Sequence, residues 1–183
     1  MSKAFTKESD DSFDEIIPEP KEVLPPGVRN YVTPEGAAAL RRELAHFVDE
    51  VRPQIAASKD DIGGSSTAPK VTRGAGLSRK KRLEAIDRHI QLLKERISGM
   101  EVVDPASQDP QTVRFGATVT VADAEGVEKV YKIVGVDESD PAAGKISWIS
   151  PIARALISAR ESDVVILELP AGDVELEIVD IAY

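Results

Sequence analysis

Two apolar stripes with helical spacing constrain this chain more than any other feature. In each stripe the apolar residues recur at steps of three and four, so they lie on one face of a helix. Neither helix can bury that face alone, so the two are expected to pair as an antiparallel hairpin. The predicted coiled-coil seam consists of Leu40, Leu44, Phe47, Val51 and Ile55 on one helix and Leu83, Ile86, Ile90, Leu93 and Ile97 on the other.

Local signals mark the ends of these helices. Thr33 is a preferred N-cap residue, and Pro34 suits the first helical position. Pro53 predicts a bend in the first helix, because its ring clashes with the preceding turn. Ser78 is the predicted N-cap of the second helix, and Gly99 its end. The intervening residues 58–77 are rich in Gly, Ser and Thr and form the predicted loop at the tip of the hairpin.

After residue 104 the pattern changes from helical to extended. Val- and Ile-rich runs bounded by turn residues predict the strands Ala117–Ala122, Glu128–Val136, Lys145–Ile149, Asp163–Leu169 and Val174–Ile181. A short helix is expected within SPIARALISAR, with Ser150 as N-cap and Pro151 in its first turn. The predicted fold class is therefore α+β, a helical hairpin followed by a small antiparallel sheet with one short helix.

Three parts of the chain differ in composition. Residues 1–30 are acidic and contain several prolines, which predicts a disordered tail. Residues 31–103 form the predicted finger, and residues 104–183 the predicted sheet domain. The net charge is −9, yet residues 70–96 carry nine basic and three acidic side chains, a local net of +6. This basic segment suits an anionic partner such as nucleic acid, or simply a solvated helix face.

Several function classes find little support in the sequence. The chain has no cysteine, so disulfides and thiolate metal sites are excluded. No apolar run reaches the roughly 20 residues of a membrane span, and the N-terminus lacks the apolar core of a signal peptide. We therefore expect a cytoplasmic protein without membrane contact. His46 and His89 fall within the predicted helices, away from any Ser/Asp constellation, so we expect no enzyme that acts by itself.

Several motifs, in order along residues 31–183, resemble the bacterial Gre transcript-cleavage factors, and GreB more than GreA. These motifs are VTPEGAAALRREL, the pair Arg52-Pro53, KKRLEAIDRHIQLLKERI, MEVVDP, RFGATVTV and WISPIARAL. The resemblance implies a coiled-coil finger and an FKBP-like C-terminal domain that docks on RNA polymerase. It also implies that the finger enters the secondary channel, where acidic tip residues help hold the Mg²⁺ with which the polymerase hydrolyses its backtracked transcript.

The same resemblance assigns site residues and partners. The docking element is expected to be Ser150, Pro151, Ile152, Ala153, Arg154, Ala155 and Leu156, with Ile152 and Leu156 equally interpretable as packing residues. Lys80, Lys81 and Arg82 match the basic stretch that faces the extruded RNA. The expected partners are RNA polymerase and the 3′ end of its transcript, with DNA contacted only indirectly. We expect a monomer that has no cofactor of its own and shares the Mg²⁺ of the polymerase.

The tip departs from the family pattern. When the sequences are anchored on the KKR stretch, the three expected acids fall on Pro69, Thr72 and Ala75. Only Asp60 and Asp61 remain as candidate catalytic or metal-binding acids. Two hypotheses follow: a regulator that binds in the channel with weak or no cleavage, or a cleavage factor that uses Asp60 and Asp61. An FKBP-like isomerase or chaperone is a third hypothesis that rests on fold analogy alone.

Overall fold

The computed structural model describes residues 24–25, 27–57, 72–168, 170 and 172–183. The helices are α1 (Pro34–His46), α2 (Arg52–Ala57), α3 (Thr72–Gly99) and α4 (Pro151–Leu156). The strands are β1 (Asn30–Val32), β2 (Met100–Val102), β3 (Thr118–Ala122), β4 (Glu128–Val134), β5 (Lys145–Ser147), β6 (Val164–Leu167) and β7 (Val174–Ala182). The α+β class is confirmed. Among the described residues, Leu40–Ser98 belong to one compact unit, and those up to Ala39 together with Gly99–Tyr183 belong to the other.

Helix α1 begins where the sequence predicts. Pro34 is its first residue, and the Thr33 hydroxyl accepts a hydrogen bond of 3.0 Å from the Gly36 amide. This bond satisfies one of the amides that a helix leaves unpaired at its N-terminus. The predicted cap at Thr33 is therefore confirmed.

A π-helical turn, Phe47–Val51, separates α1 from α2. In this turn the Arg52 amide donates to the Phe47 carbonyl, five residues back. Pro53 lacks an amide hydrogen and its ring would crowd the carbonyl four residues earlier, which a wider turn relieves. The predicted disturbance at Pro53 thus takes the form of a π turn.

Helix α3 begins at Thr72, so the predicted start at Ser78 is wrong. The sequence prediction treated residues 72–77 as loop because Gly74 and Gly76 each disfavour a helix by about 1 kcal/mol. Extending a helix that is already formed adds one hydrogen bond per residue, and this outweighs the weak local propensity. The predicted end at Gly99 is confirmed.

The predicted seam supplies much of the core of the helical unit. Buried residues on the first stripe are Leu40, Phe47 and Val51, and on the second Ile86, Ile90 and Leu93. Two polar contacts also join the segments: Glu43 with His89, and Arg52 with Asp87. The residue numbers rise on one side as they fall on the other, which is the order expected of antiparallel helices. The coiled-coil geometry itself stays a prediction.

The sheet unit contains a five-stranded sheet in the order β5-β4-β3-β7-β6. Its neighbours are antiparallel except β4 and β5, which pair in parallel, so the predicted all-antiparallel sheet is wrong. The reason is the connection 135–144, which contains two 3₁₀ turns and is not a hairpin. It brings the chain back so that β5 runs in the same direction as β4. A second parallel pair, β1 with β2, was not predicted, because three-residue strands carry too little alternation to be recognised.

The core of the sheet unit lies between one face of the sheet and α4. Buried residues from β3 and β7, such as Val119, Val121 and Ile178, pack with Ala153 and Leu156 of the helix. Strand alternation explains this placement, since every second residue of β3 is buried. The sheet thus fixes the position of α4, the element for which the sequence predicts a binding role.

Candidate functional site

Helix α4 is held in place by local capping and by its buried side. The Ser150 hydroxyl accepts a hydrogen bond of 3.3 Å from the Ala153 amide, and Pro151 occupies the first turn. Ala153 and Leu156 are fully buried against the sheet. Both observations follow from the sequence, because a Ser-Pro start and apolar residues three apart specify one turn of amphipathic helix.

The outward side of α4 is small. Pro151 and Arg154 are exposed, whereas Ile152 and Ala155 are partly buried against the core. The side chains of Ala153 and Leu156 therefore act in packing, and a partner would meet Pro151, Arg154 and the exposed parts of Ile152 and Ala155. The sequence predicted this division only in part, because it did not decide whether Ile152 and Leu156 act in packing or in binding.

An aromatic cluster precedes α4 in the chain. The Trp148 ring meets Tyr31 edge to face at a centroid distance of 5.2 Å, and Tyr31 lies 6.0 Å from Phe115. The Trp148 indole nitrogen is buried, and the described residues give it no hydrogen-bond partner. This cluster was not predicted, although the chain has a single tryptophan and it lies two residues before Ser150.

Comparison with known proteins identifies the family. Residues 107–183, which hold the sheet and α4, match the family described as "Transcription elongation factor, GreA/GreB, C-term". The transcription elongation factor GreB of Neisseria meningitidis serogroup A is 43% identical over 156 residues, which cover 85% of this chain and 94% of that protein. The chain belongs to the GreA/GreB family.

Two further relatives refine the comparison. The transcription elongation factor GreA of Trichlorobacter lovleyi is 38% identical over 154 residues, covering 83% of this chain and 96% of that protein. A crystal structure of GreA factor homolog 1 (Gfh1) of Thermus thermophilus has 20% identity, covers 85% of this chain and 100% of that one, and has a TM-score of 0.36. The chain is thus more similar to the Neisseria GreB than to the Trichlorobacter GreA. The sequence motifs likewise resemble GreB more than GreA.

The basic segment of this GreA/GreB protein lies on α3. Lys80 and Lys81 are exposed, and the Lys80 ammonium lies 3.8 Å from the Glu84 carboxylate, one turn further on. Arg82 is partly buried. An exposed pair at this spacing contributes little to stability, so Lys80 remains available to other anions. The RNA-facing role of these residues stays a prediction.

The tip acids lie largely outside the described part of the chain. Asp60, Asp61 and Pro69 are among the residues that the structure does not describe. Thr72 and Ala75, the positions on which the sequence prediction anchored on the KKR stretch places two of the expected acids, lie in the first two turns of α3. In the described ranges there is no cluster of three or more His, Asp or Glu residues that fits a metal ion. The role of Asp60 and Asp61 in holding the Mg²⁺ of the polymerase stays a prediction.

Polar contacts in the helical unit involve both histidines. His46 is exposed and pairs with Glu50 at 3.2 Å. The His89 Nε2 atom lies 3.1 Å from Glu43 Oε1, and its ring is 4.4 Å from that of the buried Phe47. These are the surroundings of solvated and seam-flanking histidines, as the sequence predicts. No described helix is long and apolar enough to cross a membrane.

An arginine–carboxylate pair lies beyond the π turn. Arg52 Nε donates to Asp87 Oδ1 at 2.7 Å, and this hydrogen bond raises the pKa of Arg52 above its usual value. No residue of α2 is buried, so packing alone holds this helix weakly. The pair is a polar contact between α2 and α3 at the end of the described residues nearest the tip.

Proposed function

We propose that this protein is a transcription elongation regulator that binds RNA polymerase through its sheet domain and inserts its helical finger into the secondary channel. The membership of the GreA/GreB family supports this proposal, as do relatives named transcription elongation factors. The protein acts on the polymerase and is not itself an enzyme. It works as a monomer in the cytoplasm.

The observation that carries the docking proposal is the division of α4 into a buried and an exposed side. Ala153 and Leu156 fix the helix on the sheet, and this leaves the Arg154 guanidinium exposed at a defined place. The sheet domain is otherwise strongly acidic, with sixteen acidic and six basic residues over 101–183. An exposed cation at a fixed position suits a partner that carries a complementary acidic group.

The proposed effect on the polymerase is regulation with weak or no transcript cleavage. Pro69, Thr72 and Ala75 occupy the positions at which the family carries acids, and Lys70 and Arg73 add positive charge beside them. Mg²⁺ at the polymerase active centre activates water and stabilises the developing negative charge in such hydrolysis. Without carboxylates from the factor, the second metal ion gains no ligands from this chain. The alternative is cleavage supported by Asp60 and Asp61.

The basic stretch Lys80, Lys81 and Arg82 is proposed to face the phosphates of extruded RNA. Such contacts neutralise charge without reading sequence, so they weaken as the salt concentration rises. Replacing the three residues with serine is expected to reduce crosslinking to the RNA and to flatten its salt dependence. Unchanged crosslinking would assign these residues to a solvated helix face.

The docking proposal is tested by reversing one charge. Arg154→Glu is expected to weaken polymerase binding at least tenfold in calorimetry, since it places like charges together. Lys129→Glu is the control for the same charge reversal, because Lys129 is an exposed cation of the same domain that lies on β4; its ammonium lies 3.7 Å from Asp123, so thermal unfolding must show that this variant stays folded. The assignment of α4 is wrong if Arg154→Glu binds as tightly as Lys129→Glu.

The cleavage question is tested on backtracked elongation complexes. The wild-type protein is expected to compete with a cleavage-competent Gre factor while releasing little RNA itself. The comparison variant is Asp60→Asn/Asp61→Asn, which removes both charges and keeps the side-chain size. Strong cleavage by the wild type and none by this variant would establish the alternative, in which the two aspartates supply the metal ligands.

A further inference from the structure

A single carboxylate joins the start of α1 to the 3₁₀ turn Val136–Glu138. Glu138 Oε2 accepts hydrogen bonds from the Thr33 amide at 2.9 Å and from the Gly135 amide at 3.1 Å. Its other oxygen, Oε1, accepts a short hydrogen bond from the Thr33 hydroxyl. Glu138 thus binds the N-cap residue of a helix that begins more than a hundred positions earlier in the chain.

This arrangement is a capping box whose carboxylate comes from elsewhere in the sequence. In the usual box a Glu or Gln three residues after the N-cap reaches back to the N-cap amide. Here that third position is Gly36, and Glu138 occupies the space of its missing side chain. A Cβ atom at Gly36 would lie 2.0 Å from the Glu138 Cδ atom. The glycine of the VTPEG motif thus leaves the space that the Glu138 carboxylate occupies in this position.

Neighbouring contacts reinforce the same junction. The buried side-chain amide of Asn30 donates to Asp137 Oδ2 at 3.0 Å. The Tyr31 carbonyl lies so close to Gly135 that a Cβ there would approach it to 2.4 Å. On the exposed side, the Lys132 ammonium lies 3.7 Å from Glu35. Together these contacts hold residues 30–36 on the turn that follows β4.

We propose that Glu138 is a positioning residue for the action of this protein on the polymerase. A glutamate within the helix would satisfy the N-cap amide equally well, but it would make no bond to the turn. A carboxylate from the turn both caps the helix and joins its N-cap residue to the turn, beside the contacts made by Asn30 and Lys132. The start of α1 and the turn belong to the same compact unit, so this attachment holds the first residues of the helix on the docking domain. The inference rests on the function proposed above.

The chain allows capping and attachment to be separated. Glu138→Ala removes both. Adding Gly36→Glu to Glu138→Ala restores a glutamate at the usual position of a capping box, so the helix is capped but has lost its attachment to the turn through this carboxylate. Glu138→Gln is the conservative control, since its amide oxygen can still accept from the Thr33 and Gly135 amides. Glu138→Asp is a milder variant for use if Glu138→Ala does not fold.

Amide hydrogen exchange reads the junction without the polymerase. In Glu138→Ala the Thr33 and Gly135 amides are expected to exchange roughly tenfold faster, the factor for one lost buried hydrogen bond. In Gly36→Glu/Glu138→Ala the Thr33 amide recovers its protection, and the Gly135 amide does not. Recovery of both amides, or of neither, would contradict the assignment of Glu138 as a shared cap.

Two quantities are measured for each variant: its affinity for polymerase, and its effect at saturation on the pausing of elongation complexes. Gly36→Glu/Glu138→Ala is expected to bind within twofold of wild type yet to lose most of the maximal effect, while Glu138→Gln retains it. A full effect in the double variant would show that Glu138 only caps the helix, and the proposal would fall. A wild-type protein that neither binds polymerase nor alters pausing would instead overturn the proposed function.

Discussion

Two helices begin in the sheet unit with the same local signal, and their first turns are anchored by different means. Both α1 and α4 start with a hydroxyl residue followed by proline, Thr33-Pro34 and Ser150-Pro151. In both, the hydroxyl accepts from the amide three residues later. The helix α1 is then attached through the carboxylate of Glu138, whereas α4 is attached through the apolar side chains of Ala153 and Leu156.

The difference shows what a local motif leaves undetermined. A hydroxyl-proline start specifies where a helix begins, because both residues act on the first turn alone. It carries no information about which surface receives that turn. For α4 the receiving surface is apolar and follows from the helix's own pattern. For α1 it includes the carboxylate of Glu138, whose trace in the local sequence is the glycine at position 36.

The largest effect is expected where the anchor is apolar. Leu156→Ala removes a fully buried side chain and leaves a cavity, which typically costs about 2–5 kcal/mol in the free energy of unfolding. Denaturant titration measures this cost. Ile166→Ala is the control, since that side chain is 58% exposed and its loss leaves no cavity. Equal costs for the two variants would mean that α4 is not anchored by its buried side.

The next largest effect on stability is expected at Gly36, whose missing side chain leaves space for Glu138. Alanine is a better helix former than glycine by about 1 kcal/mol, so Gly36→Ala would stabilise an unobstructed helix. Here the new Cβ displaces the carboxylate, and we expect a net destabilisation of about 1–3 kcal/mol. Gly99→Ala is the matched control, because nothing lies within 4 Å of its Cβ position. A stabilising Gly36→Ala in thermal unfolding would contradict the non-local cap.

Removing the two cap hydroxyls compares the helices directly. Thr33→Ala and Ser150→Ala each lose a cap, for which the usual cost is about 0.5–2 kcal/mol. Thr33→Ala is expected at the upper end, because its hydroxyl also donates to Glu138. Ser150→Ala is expected at the lower end, since its single bond is 3.3 Å long. The same denaturant titration measures both costs. A larger cost for Ser150→Ala than for Thr33→Ala would contradict the stronger polar anchoring of α1.

The smallest effect on stability is expected from Arg154→Glu. Arg154 lies on the exposed side of α4, and surface substitutions usually change stability by less than about 0.5 kcal/mol. Thermal unfolding should therefore leave this variant close to wild type while its polymerase binding falls. Unfolding as severe as that of Leu156→Ala would mean that Arg154 belongs to the anchor and not to the binding surface.

Features set by neighbouring residues were predictable from the sequence. The start of α1, the end of α3 and the buried seam residues follow from caps and periodicity, which act within a few positions. The start of α3 was not, because helix extension through Gly74 and Gly76 depends on the helix that follows them. The parallel pairing of β5 was missed because turn residues do not reveal whether the chain reverses or crosses over.

The candidate site was predictable in part for the same reason. The hydroxyl-proline start and apolar spacing located α4, and the resemblance to Gre factors gave it a role. Which residues of α4 are buried, such as Ala153, and which are exposed, such as Arg154, could be decided only from the packing of the helix against the sheet. The role of Glu138 could not be predicted, because Thr33 lies about a hundred positions away in the sequence. A single glutamate in an acidic domain also gives no local signal of its own.

The π turn Phe47–Val51 has an evolutionary consequence. A π turn holds one residue more than an α turn, so it is equivalent to an insertion accommodated within a helix. In a regular helix such an insertion would rotate every later side chain by about 100° and turn the apolar face away from its partner. Here the misfit is confined to a single turn, with Glu43 paired with His89 before it and Arg52 paired with Asp87 after it. The π turn therefore accommodates one extra residue in the first segment while the contacts on either side are kept.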